Sequence, residues 1–177
     1  DEDREVRRTL EELLDDLRRV IEESERHLEK LNEDVREAIR RSEEHVRRVL
    51  DRVRRGGVNE KLLEELDKIV KENRKLLEEL LRRLEESTKR NRDEAKRLLE
   101  ELADIVRRIE ELLRDNISED LLRKLLEEAK RVLDEIRKTL KKTNEDHERL
   151  VERIKRELEK SNKDLERLAK EIIDRDK

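Results

Sequence analysis

The chain has 177 residues, 56% of them charged, and it contains no Cys, Phe, Met, Pro, Gln, Trp or Tyr. Lysine and arginine (48) nearly balance aspartate and glutamate (52). No basic block exists to track a phosphate backbone, no aromatic to stack on a base, no apolar run to span a bilayer and no thiol for a disulfide or thiolate metal site.

High charge with low hydrophobicity also characterises disordered chains. Periodicity decides against that reading, because Leu, Ile, Val and Ala recur at helical spacing. A mixture so rich in Glu, Lys, Arg and Leu is the composition of long helices and coiled coils.

The first helix is expected over about 2–55. Its seam steps by threes and fours through Leu10, Leu14, Leu17, Ile21, Ser24, Leu28, Leu31, Val35, Ala38, Ser42, His45 and Val49. Leu13, Val20 and His27 widen the stripe early, and Ile39, Val46 and Val53 widen it later. Three apolar positions per heptad suit a bundle of three or more helices better than a two-stranded zipper. Acidic residues 1–3 and basic Arg52, Arg54 and Arg55 complement the helix dipole at either end.

Gly56 and Gly57 supply the left-handed geometry that closes a helix. Asn59 is the expected N-cap of the second helix, with Val58 stapled on Leu63. That helix is expected over about 60–114, with a seam through Leu63, Leu66, Val70, Asn73, Leu77, Leu80, Leu84, Ser87, Asn91, Leu98, Leu102, Ile105, Ile109 and Leu112. The second loop repeats the device: Asn116 ends the helix, Ser118 caps the next, and Ile117 is placed to staple on Leu122. Asn116-Ile117-Ser118 also spells a glycosylation sequon, but it reads as cap and loop chemistry.

The third helix is expected over about 119–174. Its seam runs through Leu122, Leu126, Ala129, Leu133, Ile136, Leu140, Thr143, His147, Leu150, Ile154, Leu158, Ser161, Leu165, Leu168 and Ile172. Three helices of near-equal length, each roughly 80 Å, joined by connections of about four residues, predict antiparallel neighbours. The expectation is all-α: an elongated up-down-up three-helix bundle with coiled-coil-like heptad packing, forming a single domain over residues 1–177.

Polar residues interrupt this seam in two places. Counting through the loops, facing positions on helices one and two should sum to about 115, and those on helices two and three to about 233. Ser24 then faces Asn91, Asn91 faces Thr143, and His27 comes level with Ser87, Thr88 and His147. In the second layer Ser42 faces Asn73, Asn73 faces Ser161, and His45 lies within a turn. Asn32, Asn144 and Asn162 sit beside the seam as boundary residues.

A buried polar atom without a partner costs on the order of 1–3 kcal/mol, so clustering such groups makes their burial tolerable and penalises slipped packings. The layers therefore read as register-setting networks. Metal binding by His27 and His147 lacks the further carboxylate or thiolate that tight sites take. Catalysis lacks a nucleophile–base–orienter set beside a pocket. No cofactor is expected. Histidine buried in its neutral form resists protonation, so acid sensitivity is expected through His27, His45 and His147. Its ceiling is roughly 6 kcal/mol for three such groups over 1.5 pH units.

Together, the uninterrupted helices, the loops Gly56-Gly57-Val58-Asn59 and Asp115-Asn116-Ile117-Ser118, the Leu/Ile/Val/Ala core and the layered Ser/Thr/Asn/His resemble computationally designed helical bundles with buried hydrogen-bond networks. A spectrin-like three-helix repeat would be shorter and would carry aromatics. The resemblance implies a scaffold made for its shape, with no enzymatic activity and no required partner; a start without Met suits a protein released from a tag. The alternative is a module that accepts a further helix, from a partner or a second copy, since helix-in-groove recognition uses the same apolar spacing. Neither nucleic acid nor membrane is expected as a partner, and no targeting signal is expected.

Overall fold

The computed structural model describes residues 2–57, 59–115 and 118–175. Three helices account for almost all of them: α1 (Glu2–Arg55), α2 (Glu60–Arg114) and α3 (Glu119–Arg175). They pack as an all-α three-helix bundle, and there is no strand among the described residues. The helix bounds fall within a residue of those expected from the periodicity.

Local chemistry explains where the helices stop. Gly57 adopts φ 70°, and the amides of Gly56 and Gly57 donate to the carbonyls of Arg52 and Arg54 at 3.2 Å each. These bonds satisfy carbonyls that the end of α1 would otherwise leave open. Asn59 caps α2, its Oδ1 accepting the Lys61 amide at 3.0 Å, while its carbonyl accepts from Leu62 and Leu63. At the second connection the Asp115 amide donates to Glu111, and the Ser118 carbonyl accepts from Leu121 and Leu122. The acidic side chains of residues 1–3, the Val58 and Ile117 staples and the Asn116 turn lie outside the described residues.

The packed chain divides into two compact units, each drawing a segment from every helix. The first comprises Asp1–Leu28 and Ser87–Asp146. Its core gathers Leu10, Leu17, Leu102, Ile109, Ala129 and Ile136, among others. The second comprises Glu29–Glu86 and His147–Lys177. It holds two apolar clusters, one around Val35, Leu80 and Ile154 and one around Val49, Leu66 and Leu165. The level of Ser42, Asn73 and Ser161 falls between these clusters on all three helices.

The seam departs from a strict heptad in a systematic way. Near the helix starts the more deeply buried residue is one position earlier than a heptad assigns: Leu13 in place of Leu14, and Leu125 in place of Leu126. Farther along it is one position later, with Leu113, Val151 and Ala169 in place of Leu112, Leu150 and Leu168. An α-helix turns once per 3.6 residues against 3.5 for a heptad, so the buried stripe drifts by about 20° per heptad. Leu14, expected in the core, is 38% exposed as a result.

Candidate functional site

In the first unit, Ser24 and Asn91 are buried, while His27, Ser87, Thr88 and Thr143 are half-buried. The Ser24 hydroxyl donates to Asn144 Oδ1 at 3.2 Å. Its partner is therefore Asn144 on α3, not Asn91. Thr143, expected to meet Asn91, instead donates to the Leu140 carbonyl in its own helix at 3.0 Å. A threonine hydroxyl reaches the preceding turn of its own backbone readily, so it has no need of a neighbouring helix. Asn91 Nδ2 is left buried with no hydrogen-bond partner. His27, Ser87 and Thr88 each have an interaction partner.

In the second unit, Ser42 is buried and donates to Asn162 Oδ1 at 3.0 Å. The expected contact to Asn73 is replaced by this α1–α3 bond. His147, with no exposed surface, forms a hydrogen bond between its Nε2 and Asn32 Oδ1 at 3.0 Å. His45 sits at the edge of the layer: its Nε2 is buried without a hydrogen bond, and Glu166 Oε2 lies 3.9 Å away. Asn73 and Ser161 do not bond one another; both line a cavity.

Three α1–α3 bonds join polar side chains of these levels, and all three use asparagines that the sequence places beside the seam. Counting through both loops sets α3 about 118 residues ahead of α1 at equal height. The observed separations are 120, 120 and 115 residues. Height was legible; direction around the helix was not. Asn144 is one position, or about 100° of rotation, beyond Thr143, and that step turns its amide toward α1.

A signal in the sequence would have found these pairs. The step from Ser24 to Ser42 is the same as that from His27 to His45, from Asn73 to Asn91 and from Asn144 to Asn162. It amounts to about five full helical turns, so the two members of each pair share one direction, although a strict heptad would separate them. The surface follows the same five-turn period. Asp16 pairs with Arg137 at 3.5 Å, and Asp34, one period on, pairs with Lys155 at 3.9 Å. At one level the residue type changes on both helices together: Asn32 and His147 are matched one period later by Leu50 and Leu165.

The cavity occupies about 530 Å³ of the second unit and receives side chains from all three helices. Ser42, Asn73 and Ser161 line it together with Val46, Leu50, Val70, Leu77, Leu158 and Leu165. Leu76, 44% exposed, stands where the cavity reaches the surface. Among the described residues no group of three or more His, Cys, Asp or Glu side chains could hold a metal ion, and no helix is long and apolar enough to cross a membrane.

Two exposed clusters have perturbed carboxylates. The Arg40 guanidinium grips Glu37 through Nη2 at 2.6 Å and Nε at 3.2 Å, and this hydrogen bonding holds the Glu37 carboxyl below its ordinary range. Arg97 lowers Glu94 in the same way through a 2.6 Å bond. Both are solvated helix-surface pairs, and Glu37 also lines a surface depression with Asp34, Ala38 and Arg41.

Comparison with family models, with curated proteins and with solved structures finds no match for this chain.

Proposed function

We propose that the chain is a designed structural scaffold without catalytic activity, in which buried polar pairs set the register of α1 against α3. The observation that carries this reading is that three polar side-chain bonds join α1 to α3, two of them at an identical separation of 120 residues and the third at 115. Sliding α3 by one turn would part every donor from its acceptor at once. Each group left buried and unpaired would then cost about 1–3 kcal/mol. A five-turn period shared by three helices of alternating direction supports a sequence composed for packing.

A second reading, a module that accepts a further helix, is favoured by the half-exposed Leu14, Leu76 and Leu121. Apolar residues of this size are the anchors that helix-in-groove recognition uses. Light scattering at neutral and acidic pH separates the two. The scaffold reading requires a single species near the chain mass of 21.7 kDa at neutral pH. A dimer or larger assembly across the working concentration range would refute it in favour of the second reading.

A further inference from the structure

We propose that the cavity of the second unit is a binding site for an uncharged, mainly apolar small molecule that carries a hydrogen-bond acceptor. At about 530 Å³ it lies within the roughly 300–1,000 Å³ range of small-molecule sites. Such sites combine apolar walls with a few polar groups that fix orientation. Here the walls are leucine and valine, and the polar groups are the hydroxyls of Ser42 and Ser161 and the amide of Asn73.

These polar groups differ in what they can offer. Ser42 commits its proton to Asn162, so toward the cavity it presents an acceptor. Asn73 and Ser161 keep donors that no other described residue takes up, and both line the space. A carbonyl or ether oxygen on the ligand satisfies those donors. The charged residues of the lining set the ligand's charge. Glu43, Glu157 and Asp164 are matched by Arg47, Arg74 and Lys160, three against three, so neither an anion nor a cation is favoured.

The five-turn period provides an internal comparison. Val70, Leu77, Leu50 and Leu165 of the cavity correspond to Thr88, Ala95, Asn32 and His147. Three of these four apolar residues thus replace a polar one, and the part of the cavity's polar set that lacks a protein partner faces open space. Asn73 is half-buried there, whereas its counterpart Asn91 is buried.

The test uses the full chain and the neutral naphthalene ketone 6-propionyl-2-(dimethylamino)naphthalene, whose emission shifts to the blue in apolar surroundings. Saturable binding with a Kd on the order of 10 μM is expected for a ligand of this size. Asn73→Leu with Ser161→Leu fills the space and removes both donors, and it should weaken binding at least about tenfold, one step of which is 1.4 kcal/mol. Asn91→Leu with Thr143→Leu, the same change at the positions one period away, should leave binding within about twofold. In the wild-type chain, nuclear Overhauser contacts from the ketone should reach the methyls of Leu77 and Leu165. The proposal is overturned by an absent or non-saturable shift, by equal loss in the two double variants, or by contacts to Leu14 or Leu121 instead. A blue shift that appears only as light scattering reports association of copies would also overturn it, assigning the space to a second chain.

Discussion

Asn91 is the residue at which burial and hydrogen bonding disagree most clearly. Its side chain is 5% exposed and its Nδ2 has no partner, so it carries a desolvation penalty that nothing offsets. Asn91→Leu should raise stability by about 1–3 kcal/mol, read as a higher urea midpoint at unchanged slope. Ser24 and Ser42 differ from it, because each has an asparagine oxygen within reach on α3. At the surface, Glu37 offers a titration test. Its folded-state value is lowered by the hydrogen bond from Arg40, so its contribution is present above the ordinary carboxylate range and is lost as pH falls through the lowered value. Arg40→Ala should move the Glu37 titration midpoint upward toward that of a free glutamate. Side-chain carboxyl chemical shifts followed by NMR measure this; an unmoved midpoint would contradict the assigned cause.

At the scale of the element, each helix is continuous because no Pro and only two Gly exist to interrupt it. Both glycines stand at the end of α1. Gly57 is the one with φ 70°, and a Cβ added there would meet nothing within 4 Å. The cost of Gly57→Ala is therefore one of backbone conformation alone, about 1 kcal/mol for placing an L-residue in the left-handed region. Thermal or chemical denaturation should show that loss with the helix content preserved. The polar pairs and the drift of the buried stripe belong to the same scale. A step of whole helical turns keeps Ser24 and Ser42 on one line of α1, which a heptad count misses.

Over the whole molecule, stability depends on two units with their own apolar cores, and the second of them encloses a buried histidine. His147 has no exposed surface and is bonded to Asn32. Asn32→Leu with His147→Leu, which copies the Leu50 and Leu165 pair found one period on, removes both partners of this buried bond together and should leave the urea midpoint unchanged or higher, whereas His147→Leu alone should lower it by leaving the Asn32 amide unpaired.

The helix count, the helix bounds to within a residue, the caps at Gly57 and Asn59 and, to within three residues, the offset between α1 and α3 were legible in the sequence. Those properties follow from local rules: periodicity, the missing side chain of glycine, and loop lengths too short to allow another arrangement. Which polar residues bond emerged only from the packed bundle. Ser24 and Ser42 choose Asn144 and Asn162 over Asn91 and Asn73, because a hydrogen bond depends on rotation about the helix axis to within a fraction of a turn. The cavity beside one polar layer is likewise a product of packing. It depends on how the side chains of three helices fill a shared space, and no single helix encodes the volume left between them.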